Sequence, residues 1–284
     1  MTHKLETQSS AHATTLGPIP TAARPPKTKE DRHFVSALAR GLKVLTCFRS
    51  GDELLGNHEL ARRSGLPKST ISRLTYTLTK LGYLHFAQEA VKYRLGTATL
   101  ALGSAMLARM DIRRLARPMM QELADFSRAM VSLGVRERLN LIYIENCRSQ
   151  SALTLSLDVG SRIPIATTAM GRAYLAAMSD SERANVLDQI RAQDETNWPK
   201  IRAGIDDALE QYQRYGCCGS FGEWQKDVNA IAVAFRVGND SPILSINCGG
   251  PAFNLSPDFL LGEVRPRLIE IVKNLEMSLG VDRG

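Results

Sequence analysis

The stretch GLPKSTISRL at residues 65–74 limits the architecture more than any other part of this 284-residue chain. Gly65 tolerates the tight turn that ends one helix, and the fixed φ of Pro67 suits the first position of the next. From Lys68 onward Ile71, Leu74, Leu78 and Leu81 recur at steps of three and four, which is one buried stripe of a helix running to about Gly82. The opposite face carries Ser69, Ser72, Arg73 and Tyr76. Short hydroxyls let a helix approach a neighbour closely, and the flanking cations favour an anionic one. The pattern predicts a helix-turn-helix whose second helix lies against DNA.

The surroundings agree with that reading. A helix is expected over Val35–Phe48 from Leu38, Leu42 and Leu45, and a short one over HELARRSG with Asn57 as its N-cap. Residues 83–86 and 91–95 are β-prone runs around the polar link AQEA, a hairpin in the place of a wing. Charge points the same way. Residues 1–109 hold 16 Lys and Arg against 7 Asp and Glu, a balance of +9, whereas residues 110–284 hold 20 against 22, a balance of −2. A basic module joined to a neutral one suits a polyanion ligand for the first.

Binding energy toward DNA is then expected largely from phosphates, through Arg62, Arg63, Lys68 and the wing residues Lys92 and Arg94. Sequence is read from the groove face of the second helix, where Arg73 can hold guanine O6 and N7 together and Ser69, Thr70 and Ser72 reach bases or phosphates, with Tyr76 beside them. A phosphate contact is the alternative for Arg73.

Four prolines and few large apolar groups predict a disordered tail over residues 1–33. The winged domain then spans 34–96. Residues 97–111 form a helix with more apolar surface than one small domain needs, a linker expected to pair with its twin in a second subunit. Residues 112–284 alternate differently, with a helix near 113–126, strands at 139–145 and 152–157, a helix from Thr168 to Met178, two more to Tyr215, strands at 229–237 and 242–248, and a terminal helix ending near Leu279. Helices grouped between hairpin-like strands make this part α+β, one antiparallel sheet covered by helices. The Thr167-Thr168 pair opens a helix, with Gly171 allowing close packing, and the free N–H groups of Thr168, Ala169, Met170 and Gly171 suit a carboxylate. Trp224 suits the cover of an apolar or aromatic body.

The stretches SALARGLKVLTCF, GLPKSTISRLTYTLTKLGYL and YRLGTATLALG, followed by DVGSRIPIATTAMGRAYLAAM, EWQKDVNAIAVAF and LSINCGGP, resemble the IclR family of bacterial transcriptional regulators over about residues 34–279. The resemblance implies a winged helix-turn-helix joined by a linker helix to a GAF-like α+β effector domain. It also implies a homodimer or homotetramer on double-stranded operator DNA, with affinity set by a small effector. Asp227, Asn229, Ser245, Asn247 and Cys248 fall on the loop and strands that would wall its pocket. Two departures are visible: Ala234 stands where proline often follows IAV, and LSINCGGP is one residue longer than the usual LSVxGP. The form WQKDVNAIAV looks most like members that control catabolism of aromatic acids, so the effector is expected to be a carboxylic acid.

Other chemistry has little to build on. All five histidines lie before residue 86, so the second domain offers no His for a nucleophilic pair or a metal site, and neither an enzyme nor a cofactor is expected. No apolar run of eighteen residues and no signal-peptide core appears, which points to the cytoplasm. Five scattered cysteines are expected as thiols; a redox sensor on Cys217 and Cys218 is the alternative regulator.

Overall fold

A computed structural model describes residues 33–49, 51–108, 110–149, 156–236 and 241–280. The expected tail and most of the expected strand at 152–157 lie outside these. Three helices open the chain: α1 (Ser36–Leu45), α2 (Asn57–Ser64) and α3 (Lys68–Lys80). Gly65 ends α2 in the left-handed region at φ 68°, which a side chain rarely tolerates. Gly56, not Asn57, caps α2, and Pro67 caps α3 rather than opening it, so Asn57 and Lys68 are the first helical residues. Val44, Leu60, Ile71, Leu78 and Leu84 close a small core between these helices and the wing. Each such buried aliphatic contributes about 1.5–3 kcal/mol.

Strands β1 (Leu84–Ala87) and β2 (Lys92–Leu95) pair antiparallel to make the wing. Leu55 extends it by exchanging two backbone hydrogen bonds with Tyr93, both 2.8 Å. Helix α4 (Thr97–Leu107) starts directly afterward. The Gly96 N–H donates to the Tyr83 carbonyl at 2.8 Å, and Ala98 N–H to the Gly82 carbonyl at 3.2 Å. The Thr99 hydroxyl adds a bond to Tyr83 at 3.0 Å. A Cβ on Gly96 would collide with the Gly82 carbonyl, so only glycine permits this approach. Helix α4 buries none of its residues and leaves Leu100, Leu102 and Met106 exposed.

The second half is one antiparallel sheet of six strands in the order β5-β4-β3-β8-β7-β6. These are β3 (Met130–Glu137), β4 (Asn140–Arg148), β5 (Arg162–Pro164), β6 (Cys218–Phe221), β7 (Val228–Arg236) and β8 (Ile243–Pro251). Helices α5 (Asp111–Ser127) and α10 (Arg265–Gly280) cover one face, α10 running on from the short α9 (Pro257–Phe259) and a wide turn at Leu260–Val264. Helices α6 (Ala169–Ala176), α7 (Asp180–Gln193) and α8 (Trp198–Tyr215) cover the other. Period-two alternation divides each strand between the two cores. On β8, Leu244, Ile246 and Cys248 face α5 and α10, while Ile243, Ser245, Asn247 and Gly249 face α6. A bulge between Leu133 and Gly134 interrupts the β3–β4 register, turning both Ile144 and Glu145 toward α5. Glu145 is buried there between Arg113 and Arg117, at 3.0 and 2.6 Å.

Candidate DNA-contacting face and effector pocket

On α3 the side chains of Lys68, Ser69, Ser72, Arg73 and Tyr76 are exposed, and Thr70 is half-buried. Among the described residues, Lys68, Arg73, Lys92 and Arg94 of α3 and the wing meet no acidic side chain. Ser72 turns its hydroxyl hydrogen back onto the Lys68 carbonyl at 3.1 Å and accepts from Asn57 at 3.4 Å, which leaves it acceptor capacity only. Arg62 lies outermost on α2 and shares Glu59 at 2.5 Å.

Arg63 departs from its expected place at a phosphate. Its guanidinium donates to Asp52 at 2.5 and 3.1 Å, to Glu59 at 2.5 Å and to the Cys47 carbonyl at 2.9 Å, with its side chain only 16% exposed. Four of its five donors are spent holding α2 to the end of α1. Hydrogen bonds from Arg62 and Arg63 hold the Glu59 carboxyl down at about 2.

In the second half a small cavity, partly open to solvent, lies between α6 and the sheet. Thr168 and Ala169 form its rim at the start of α6, and Trp224 covers it from the loop between β6 and β7. Met130, Tyr143, Ile163, Val228, Ala230 and Gly249 make the walls, with Ser220 and Asn247 as further polar groups. It is narrow, with room for little more than one water molecule's centre. The Thr168 hydroxyl accepts from Gly171 N–H at 3.1 Å and donates to the Pro164 carbonyl at 2.7 Å. An α-helix leaves its first N–H groups without intrahelical partners; the cap takes that of Gly171, and among the described residues no acceptor takes those of Ala169 and Met170.

Several expected pocket residues lie elsewhere. Met170 is buried against Gly134, and Gly171 packs so tightly on the Ile165 backbone that a Cβ would overlap it. Ser245 sits beneath α6 and donates to the Met170 carbonyl at 3.1 Å. Asn229 and Cys248 point to the opposite face, where Asn229 donates to the Leu255 carbonyl at 2.9 Å and the Cys248 thiol to Ser127 Oγ at 3.4 Å. Asp227 is exposed, and its carbonyl accepts from Ala252 N–H at 2.8 Å. Thr168, Ala169, Trp224 and Asn247 are the expected residues that the fold brings together.

The adjacent cysteines point to opposite cores. Burial pushes the Cys217 thiol up to about 11 and raises that of Cys218, which donates to the Ala208 carbonyl at 3.2 Å. A redox thiol needs an accessible thiolate, and neither has one; the alternative redox reading loses its residues. Among the described residues no group of three or more His, Cys, Asp or Glu is placed to hold a metal ion, and no helix is long and apolar enough to cross a membrane.

A winged helix-turn-helix with unpaired cations on α3 and the wing, followed by an α+β domain with a small cavity between α6 and the sheet, has the make-up of a DNA-binding transcriptional regulator. Residues 37–87 match the IclR helix-turn-helix domain, and residues 104–276 match the family described as bacterial transcriptional regulator IclR C-terminal. The chain is 33% identical over 253 residues to the HTH-type transcriptional regulator TsaQ1/TsaQ2 of Comamonas testosteroni, covering 88% of this chain and 90% of that one. It is similar to the crystal structure of an IclR family regulator from Brucella abortus, with a TM-score of 0.80 and 44% identity, over 90% of this chain and 96% of that one. An IclR homolog from Microbacterium hydrocarbonoxydans, complexed with 4-hydroxybenzoate, shares the fold at a TM-score of 0.65 and 23% identity, over 87% and 98% of the two chains. This chain belongs to the IclR family of bacterial transcriptional regulators. Its relatives are regulators and not enzymes.

Proposed function

We propose that the chain binds operator DNA in the cytoplasm as a homodimer, or a pair of dimers, and that a small organic acid in the second domain sets its affinity. The cavity at the start of α6 carries this reading, because it combines free helix-start N–H groups, which favour a carboxylate, with apolar walls under a tryptophan, and it widens to admit the body of the acid. The Microbacterium homolog is complexed with 4-hydroxybenzoate, so aromatic acids are the first class to try. Lys68, Lys92, Arg94 and Arg62 supply phosphate contacts, and Arg73 with Ser69, Thr70, Ser72 and Tyr76 reads the groove. The exposed Leu100, Leu102 and Met106 of α4 support a twin helix there.

Calorimetric titration of aromatic acids into the full chain, with and without operator DNA, tests the scheme. Affinities for acid and operator must be coupled by the same factor in both directions. Equal acid affinity in the two experiments refutes a regulatory role for the cavity.

A further inference from the structure

The register of the wing keeps its two faces apart. Leu84 and Phe86 of β1 share the inner face with Tyr93 of β2: Leu84 belongs to the small core, Tyr93 packs on it, and the Phe86 and Tyr93 rings lie 5.0 Å apart. The alternate residues stand on the outer face, where His85 is the cross-strand partner of Arg94 and Ala87 that of Lys92. His85, Lys92 and Arg94 are all exposed.

That outer face runs on into α3. The Lys92 side chain passes Gly56, its Cγ 3.7 Å from the point a Gly56 Cβ would occupy, and Gly56 caps α2. The next residue, Asn57, donates to Ser72 Oγ on the exposed side of α3 at 3.4 Å. One surface therefore links Ser72, the start of α2, and the corner of the wing that holds Lys92, Arg94 and His85. Its charge is one-sided. Among the described residues His85 meets no acidic side chain, and neither wing strand contains one. The elements around the wing add Lys68, Arg73 and Lys80 from α3, His58 from α2, and no charge from α4. Asp52 and Glu59 are engaged by Arg62 and Arg63, which leaves Glu89 in the hairpin turn and Glu53 ahead of Leu55, both pointing to solvent.

We infer that His85 is a further DNA-contacting residue, reaching the phosphate backbone beside Arg94, and that it makes DNA binding proton-linked. This rests on the reading of α3 and the wing as the DNA-contacting face. A neutral imidazole adds no charge to that row, whereas an imidazolium adds a third cation, and the ordinary side chain passes from one to the other between about pH 8 and pH 5. A phosphate favours the charged ring, so the complex takes up a proton that the free chain lacks at neutral pH. Affinity must then rise as pH falls and be lost again as pH rises.

The test is fluorescence anisotropy of the full chain on a random-sequence DNA duplex, at pH 8 and pH 6 and several salt concentrations. Phosphate contacts do not depend on sequence, so this duplex reads them. The chain is expected to bind about threefold more tightly at pH 6, with a salt slope steeper by up to about 0.9. His85→Gln should abolish both gains while binding at pH 8 within about twofold of the unaltered chain. His85→Lys, charged at both pH values, should bind at pH 8 as the unaltered chain does at pH 6. A pH response that survives His85→Gln, or that disappears in His58→Gln instead, overturns the inference. So does a response that is missing altogether while Lys92→Ala and Arg94→Ala still weaken binding, which leaves the wing on the DNA. Binding unchanged by all of these substitutions removes the wing from the DNA and overturns the inference and that reading of the wing together.

Discussion

The Arg172 guanidinium donates to the Glu223 carboxylate at 2.6 Å and to the Ala166 carbonyl at 3.2 Å, tying α6 to the loop that carries Trp224. Arg172 is almost fully buried whereas the Glu223 side chain is 43% exposed. Solvent screens the acidic end, so Glu223→Ala is expected to cost about 1 kcal/mol. Arg172→Ala also removes the bond to Ala166 and leaves a cavity, for about 3 kcal/mol. Urea unfolding checks the order; a larger loss from Glu223→Ala would mean the ion pair, not the packing, holds α6.

Arg73→Ala is expected to relax preference at one base pair by about 1–3 kcal/mol, whereas Lys68→Ala weakens all sequences alike and lowers the salt slope by about one. Binding titrations on operator and scrambled duplexes at several salt concentrations separate the two. Uniform loss from both substitutions would assign Arg73 to a phosphate. Arg63→Ala, by contrast, should destabilise the winged domain by about 2–3 kcal/mol, since it strands Asp52 and loosens α2 from α1.

Acid should unfold the winged domain through Glu59. Its carboxyl is held at about 2 against an ordinary 4.5, so the stabilisation is fully present above about 4.5 and is lost as pH falls from there through 2. Glu59→Gln removes this part of the acid transition. An unchanged acid-unfolding profile in the variant would show that Arg62 and Arg63 gain nothing from the ionised form.

The thiols should be silent. Burial raises Cys147 and Cys217 to about 11 and Cys248 to about 12, so a thiol reagent at pH 8 is expected to label none of these within the time needed to label a free thiol. Operator affinity should not change with mild oxidant. A prompt stoichiometric reaction of Cys217 in the folded chain would restore the redox alternative.

The DNA-contacting half was legible because its signals are local: the stripe Ile71, Leu78 and the turn Gly65-Leu66-Pro67 lie within one helix-turn-helix. The pocket was less so. Asn247 and Cys248 cannot face the same way on one strand, nor can Val228 and Asn229, so alternation alone separates pocket from core on β7 and β8. What no local pattern carries is convergence. Met130 and Tyr143 reach the cavity from β3 and β4, more than 75 residues before Ser220, and β3 hides directly behind α5 with no turn signal of its own. The inward location of Arg63 was likewise invisible, since Asp52 and the Cys47 carbonyl come from a loop and from the residues that follow α1.

The seam at Gly82 and Gly96 has a mechanical result. Three hydrogen bonds and a backbone approach that admits no side chain join the start of α4 to the segment that ends α3. The two helices are therefore expected to move together, like the arms of one crank. On the proposed placement of α3 against DNA, a twist applied to the far end of α4 is expected to turn α3 with it and so to shift Arg73 relative to the base pair it is proposed to read.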